Sequence, residues 1–128
     1  ESDGRITFSL SLAGGLPPVE IDCGQIKQVL LNVLINAIQA ISGNGEIRIT
    51  TAADDAGGVI IRIADNGCGI SDEARKRIFD PFFSTKPTGT GLGMAIARKI
   101  IESHHGHIEV VSEAGQGCMV TITLPTGT

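Results

Sequence analysis

Two asparagines one helical turn apart are the first residues whose type and spacing point to a bound ligand. Asn32 and Asn36 fall in a narrow polar wedge of an otherwise apolar helical pattern. Buried carboxamides need hydrogen-bond partners, since an unsatisfied one costs about 1 to 3 kcal/mol. A ligand is the better account of this pair, whereas Gln25 and Gln28 in the same wedge are expected to cap strand or loop carbonyls.

A carboxylate followed by a glycine-rich turn is the second candidate. The segment DNGCGI begins at Asp65, directly after a β-branched run, and ends at Ile70. A carboxylate can accept two hydrogen bonds, which suits an exocyclic amino group such as that of adenine. Gly67 and Gly69 would let a flat base approach the backbone. Taken alone, the same segment is equally well explained as a plain tight turn.

A third segment, TGTGLGM at residues 88–94, opens a helical pattern. Backbone N–H groups converge at a helix N-terminus, where the partial positive charge suits phosphate. The spacing is not that of the dinucleotide fingerprint G-x-G-x-x-G, because Met94 takes the third glycine position after Gly89 and Gly91. The G-K-[ST] of a P-loop is also missing. The Rossmann and P-loop classes are therefore excluded.

The elements that must position these residues follow from the hydrophobic periodicity. Alternating and β-branched runs predict strands, and apolar residues at i, i+4 and i+8 between caps predict helices. The predicted strands cover 6–12, 46–51, 59–64, 107–112 and 119–124, with a possible short one at 19–21, and the predicted helices cover 24–42, a short segment capped by Ser71, and 92–105.

This order of elements places helices among mostly antiparallel strands. It predicts an α/β (α+β) fold, a two-layer sandwich of about five strands packed on about three helices. The irregular stretch 66–91 is long for a compact domain, and long loops of this kind are usually functional lids.

Local signals predict how the two long helices begin and end. Asp22 is expected to cap the first, with Gln25 three residues later as in a capping box. That helix is apolar over most of its circumference, so it is expected to be buried. His104, His105 and His107 are expected to cap the C-terminus of the second long helix and to have no catalytic role.

Composition and charge exclude several classes of function. Ten Lys and Arg against fourteen Asp and Glu give the 128 residues a net charge of −4, so no nucleic-acid or anionic-membrane surface is expected. No apolar run approaches the roughly 18 residues of a membrane span, and the N-terminus lacks the order of a signal peptide. Three cysteines without a C-x-x-C pair indicate a reducing compartment and no zinc site. We expect one cytoplasmic domain, residues 1–128, without direct membrane contact.

Five segments in order resemble the sequence boxes of the ATP-binding catalytic domain of sensor histidine kinases, a branch of the gyrase, heat-shock-chaperone, histidine-kinase and mismatch-repair ATPase superfamily. The boxes cover nearly the whole chain, and their order and separations make the resemblance highly specific. They are the N box at 28–40, the first glycine box at 65–70, the F box at 79–86, the second glycine box at 89–93 and the last box at 115–125. The resemblance implies a Bergerat-type fold that binds ATP and Mg²⁺.

The resemblance also implies roles for individual residues. Asn36 would supply its carbonyl oxygen to Mg²⁺, and Lys86 would neutralise the β- or γ-phosphate. Asp65 would bind the adenine amino group, with Thr121 supporting that contact from the last strand. Asn32 would lie near the triphosphate, which makes Asn32, Asn36 and Lys86 the catalytic set. The other implied nucleotide contacts are Gly67, Gly69, Ile70, Gly89, Thr90, Gly91, Leu92 and Gly93.

Two positions depart from the family pattern. Gln39 stands where many members place a lysine near the phosphates, so Lys86 would carry more of the charge. Cys118 replaces the usual serine of the last box.

Asn32 distinguishes phosphotransfer from hydrolysis. ATP-hydrolysing relatives carry a glutamate there as general base, whereas a carboxamide cannot take a proton. The resemblance therefore implies a protein-histidine kinase that donates the γ-phosphate of Mg-ATP to a histidine on a separate helical dimerisation domain, for relay to a response-regulator aspartate. The chain's own histidines lack the phosphoacceptor context, so this fragment is not expected to autophosphorylate alone. The alternatives are a self-contained ATPase of the same fold and a non-catalytic nucleotide-binding partner switch.

Overall fold

A computed structural model describes residues 6–15, 21–41, 43–54, 57–67, 69, 71–80, 93–113 and 116–125. The described part contains five strands and three helices, which confirms the predicted α/β class. In chain order the elements are β1 (Ile6–Ser11), α1 (Cys23–Ala40), β2 (Gly45–Ala53), β3 (Val59–Asp65), α2 (Asp72–Arg77), α3 (Gly93–Ser103), β4 (His107–Glu113) and β5 (Gly117–Leu124). Of the possible strand at 19–21, residues 19 and 20 lie outside the described residues, and Ile21 is not in a strand.

The strands form one mixed sheet in the order β1-β2-β3-β5-β4. The β1 strand pairs with β2 in parallel, and all other neighbouring pairs are antiparallel. The parallel pair is connected through α1, whereas β2 and β3 follow each other directly in the chain, and Gly57 N–H donates to the Asp54 carbonyl between them (2.8 Å). Parallel neighbours need such a crossover, while antiparallel neighbours need only a hairpin.

The core lies between one face of the sheet and the two long helices. Alternate strand residues such as Ile47, Ile63 and Ile122 are buried on that face, because successive side chains of a strand point to opposite sides. The helices α1 and α3 pack against each other and against the sheet. Their buried residues are Ile26, Val29, Val33 and Ala37 in α1 and Met94, Ala97 and Ile101 in α3.

One side of α1 is exposed, so the expectation of burial on nearly all sides is wrong. Leu31, Ile35 and Ile38 are 52%, 42% and 40% exposed. The helix contacts the sheet below it and α3 beside it, and these residues lie on its remaining side. Periodicity alone cannot tell a helix surrounded by protein from one packed on two sides, because both are rich in apolar residues.

The start of α1 is joined to the end of α3 by a histidine. The Oδ1 of Asp22 accepts a hydrogen bond from Gln25 N–H (2.9 Å), which confirms the predicted N-cap. The reciprocal half of the capping box is absent, because Asp22 N–H donates to His104 Nε2 (3.0 Å). With Nε2 accepting, the ring hydrogen is on Nδ1, which lies 2.8 Å from the Ile100 carbonyl. His104 therefore caps α3, as predicted, and also fixes α1 against it.

The chain leaves α3 through a residue in the left-handed conformation. His105 has φ of 64°, its N–H donates to the Glu102 carbonyl (3.0 Å), and Gly106 N–H donates to the Ile101 carbonyl (2.9 Å). This pair of bonds is a Schellman motif, with His105 at the position that glycine most often takes. The helix consequently ends earlier than the predicted residue 105, and His107 is the first residue of β4 rather than part of the helix cap.

Replacement of His105 by glycine should stabilise the domain. An L-residue pays about 1 to 2 kcal/mol for a left-handed conformation, and glycine does not. After the extra chain entropy of glycine is subtracted, we expect the free energy of unfolding to rise by about 1 kcal/mol. That gain corresponds to an increase of about 4 °C in the thermal unfolding midpoint.

Lys99→Gly, at an exposed position inside the same helix, is the matched control. It should lower the free energy of unfolding by about 1 kcal/mol. An unfolding midpoint that falls in His105→Gly would contradict the left-handed cap.

Candidate functional site

Asp65 is the last residue of β3, and the turn after it is held by side chains. The half-buried Asp65 carboxylate accepts a hydrogen bond from Gly67 N–H through Oδ1 (2.8 Å). The next residue, Asn66, accepts from Glu46 N–H through its own Oδ1 (2.8 Å) and donates its N–H to the Glu46 carbonyl (3.3 Å). Asn66 thus fastens the turn to β2. The sequence analysis did not single out Asn66, although asparagine in a turn often forms a hydrogen bond with nearby backbone through its side chain.

Two glycines allow neighbouring segments to pack closely around the Asp65 turn. A Cβ at Gly67 would lie 2.5 Å from the Ala40 carbonyl oxygen at the end of α1. A Cβ at Gly117 would overlap the Asp65 carbonyl oxygen, and Gly117 has φ of 105°. Any larger residue at either position must displace backbone. The Asp65 turn is therefore fixed between the end of α1 and the beginning of β5.

The strand register corrects the role predicted for Thr121. Asp65 pairs with Cys118 of β5, whereas Thr121 pairs with Arg62 of β3 and Glu109 of β4. Positions three residues apart on a strand face opposite sides of the sheet, so Thr121 points away from the helices. Cys118 instead occupies the position opposite Asp65 on the helix side, and Thr121 cannot support Asp65 as predicted.

The carboxamide of Asn32 joins α1 to the start of α3. Its Nδ2 donates to the Gly93 carbonyl (3.0 Å), and its Oδ1 accepts from Gln28 Nε2 (2.8 Å). Gln28 was expected to cap a backbone carbonyl, but it orients the Asn32 side chain instead. Within the described residues, Gln25 makes its hydrogen bond through the backbone, as part of the Asp22 cap.

Three residues of α1 bring the separate segments together on one face. Asn32, Asn36 and Ala40 recur at intervals of four and therefore line one side of the helix. Gly93 lies against Asn32, and the Asp65 turn lies against Ala40 through Gly67. The half-buried Asn36 is between these two contacts. The predicted site residues Asn32, Asn36, Gly67 and Gly93 thus lie along one face of the C-terminal half of α1, with Asp65 next to Gly67 in the turn.

Gly69 is buried with φ of 67°, so this position in the turn also favours glycine. The predicted site residues Ile70, Lys86, Gly89, Thr90, Gly91 and Leu92 lie outside the described residues.

The side chains near Asn36 and Asp65 offer few nitrogen or sulfur ligands to a metal ion. Within the described ranges, no group of three or more His, Cys, Asp or Glu side chains could hold a metal. An amide oxygen such as that of Asn36 suits Mg²⁺, which keeps several waters and is often completed by substrate phosphates. Among the same residues, no helix is long and apolar enough to cross a membrane.

Comparison with known proteins shows which family shares this arrangement. Residues 21–128 match the family described as histidine kinase-, DNA gyrase B- and HSP90-like ATPase. The chain is 50% identical over 121 residues to the signal transduction histidine-protein kinase AtoS of Escherichia coli and 42% identical over 121 residues to sporulation kinase E of Bacillus subtilis. Each alignment covers 94% of this chain but only 20% and 16% of the respective relative. The chain thus spans about a fifth of the length of these relatives.

Solved structures agree with the sequence matches. The catalytic domain of histidine kinase ThkA superposes with a TM-score of 0.83 at 38% identity, covering 95% of this chain and 80% of that one. Full-length ShkA in complex with AMPPNP superposes with a TM-score of 0.85 at 34% identity, covering 96% of this chain and 26% of that one. The chain belongs to the histidine kinase-, DNA gyrase B- and HSP90-like ATPase family, as the ATP-binding catalytic domain of a sensor histidine kinase.

Proposed function

We propose that this domain binds Mg-ATP and donates the γ-phosphate to a histidine on a separate helical dimerisation domain of its parent kinase, for relay to a response-regulator aspartate. The observation that carries the proposal is the position of Asn36 on α1, between the Asn32–Gly93 contact and the Gly67–Ala40 contact. This arrangement can hold a nucleotide with its base at the Asp65 turn and its phosphates toward the start of α3. The domain would work on the cytoplasmic side.

Asp65 would recognise adenine. One of its oxygens accepts from Gly67 N–H, which sets the orientation of the carboxylate in the plane of the turn. A carboxylate held in this way can accept from the exocyclic amino group of adenine but repels the carbonyl that guanine carries at the same place. Gly69 would lie beside the base, and Cys118 would replace Thr121 as the strand residue next to Asp65.

Asn36 would hold Mg²⁺ through its carbonyl oxygen, together with phosphate oxygens and water. When bound, Mg²⁺ supplies charge neutralisation to the phosphates. Lys86 and the backbone of residues 89–93, with Gly89, Thr90, Gly91 and Leu92 preceding Gly93, would bind the phosphate end. Ile70 would contact the base from the first glycine box.

Asn32 favours phosphotransfer over hydrolysis. Its amide nitrogen donates to the Gly93 carbonyl at the start of α3, and its oxygen accepts from Gln28 on the same helix. Neither atom can accept a proton from water, which a general base must do. The domain would therefore hold the triphosphate in position for an external histidine, and phosphoryl transfer depends mainly on such positioning and on charge neutralisation.

Asn36→Ala should remove the Mg²⁺-dependent part of ATP affinity. Loss of the one protein oxygen proposed for the ion should weaken ATP binding in the presence of Mg²⁺ by about tenfold or more, equivalent to about 1.4 kcal/mol. Isothermal titration with and without Mg²⁺ measures the difference. Gln25→Ala, which removes an exposed amide from the same helix, should leave both affinities unchanged. Equal Mg²⁺ dependence in Asn36→Ala and the unmutated domain would remove the metal assignment.

Asp65→Asn should reduce the preference for ATP over GTP. A hydrogen bond to a charged group contributes about 1.5 to 3 kcal/mol, so ATP affinity should fall about 10- to 100-fold while GTP affinity changes little. Competition against a fluorescent ATP analogue gives both values. Asp80→Asn, which neutralises an exposed carboxylate paired with Arg77, is the control and should not alter the preference. An unmutated domain that binds ATP and GTP equally would contradict the adenine role.

Phosphotransfer itself can be separated from hydrolysis in one experiment. The domain is mixed with the purified helical domain of the parent kinase and γ-³²P-labelled ATP. We expect acid-labile label on the partner and little free phosphate, because Asn32 offers no general base. Steady phosphate release without labelled partner would support the self-contained ATPase instead, and ATP binding with neither product would support the non-catalytic partner switch.

A further inference from the structure

The β4 strand forms one edge of the sheet. It pairs with β5 on one side only, so in the described part of the chain alternate backbone N–H and C=O groups of His107–Glu113 point away from the sheet. Glu109 and Val111 are exposed on this edge, and Val111 is 58% exposed. An edge of seven residues is long enough to pair with another extended chain.

A cavity of about 420 Å³ lies along the same edge. Its walls come from the last turn of α2, from α3 and from β4, and its size is within the range of ligand pockets. The lining residues that matter are Arg75, Lys76, Phe79, Arg98, Glu109 and Val111. Three cationic side chains, from α2 and α3, therefore line this edge in a protein whose net charge is −4.

The Arg98 side chain is held in place at the wall of the cavity. Its guanidinium carbon lies 5.3 Å from the centre of the Phe79 ring, and its Nε lies 3.1 Å from Glu102 Oε2. Lys76 is exposed and has no hydrogen-bond or ion-pair partner among the residues that the structure describes. The cavity thus combines the oriented Arg98 with a second, exposed cation, Lys76.

We propose that the β4 edge binds an extended acidic segment of another polypeptide, which adds to the sheet as a sixth strand. Ile108 and Val110 are buried on the helix side of β4, whereas Glu109 and Val111 face the other side. Successive side chains of an added strand would likewise alternate between the helix side and the other side of the sheet. Carboxylates on the helix side would meet Lys76 and Arg98, and apolar side chains on the other side would contact Val111. The segment is therefore one in which acidic and apolar residues alternate.

This surface lies away from the Asp65 turn. Asp65 belongs to β3, and β5 separates β3 from β4. Binding at the edge can therefore be tested without nucleotide, and its outcome does not depend on whether the domain binds ATP.

The test uses a fluorescein-labelled hexapeptide of alternating valine and glutamate, with both ends blocked, added to the 128-residue domain. We expect saturable binding by fluorescence anisotropy and chemical-shift changes in the amides of β4. The double variant Lys76→Gln/Arg98→Gln should weaken binding at least tenfold. Lys27→Glu, which makes the same change in net charge at an exposed position on α1, is the matched control and should change the affinity less than twofold.

Two further peptides separate strand addition from charge attraction alone. A peptide with lysine in place of glutamate should not bind, and one N-methylated on every residue should bind at least tenfold more weakly, because it has no backbone N–H to donate to β4. Thermal unfolding midpoints of the variants verify that they remain folded. The proposal is overturned if no peptide binds, if the double variant binds like Lys27→Glu, if the lysine peptide binds equally, or if N-methylation has no effect.

Discussion

One face of α1 carries the contacts on which the rest of the site depends. Asn32, Asn36 and Ala40 share that face because the helix repeats about every four residues. Gly93 reaches Asn32 by a hydrogen bond, and Gly67 reaches Ala40 because it has no side chain. Two chain segments that are far apart in sequence are thereby set on either side of Asn36. These two contacts help to set α3 and the turn after β3 relative to α1.

The sheet supports this arrangement from below. Asn66 fastens the turn to β2, and Gly117 of β5 lies directly against the Asp65 backbone. His104 joins the end of α3 to the cap of α1, so the two long helices are fixed to each other at the opposite end as well. Asp65 and Asn32 are consequently held by hydrogen bonds, and their positions do not rest on apolar packing alone.

The two edges of the sheet differ in character. At one edge, β1 exposes Phe8 and Leu10, and the neighbouring side of α1 exposes Leu31, Ile35 and Ile38. At the other edge, β4 is lined by cations from α2 and α3. Both surfaces lie away from Asp65, which is carried by β3 in the centre of the sheet. Substitutions at either edge therefore leave the Asp65 turn unchanged.

The secondary-structure elements and their caps could be predicted from the sequence, whereas the contacts between residues far apart in the chain could not. The strands, the three helices, the Asp22 and Ser71 caps and the glycine segments follow from periodicity and from hydrogen bonds within a few residues. The partners of Gln28 and Asn66, the place of Cys118 rather than Thr121 beside Asp65, and the exposed side of α1 depend on register and on helix placement. A shift of one residue turns a strand side chain to the other face of the sheet, and only the packed core decides which register excludes more apolar surface from water.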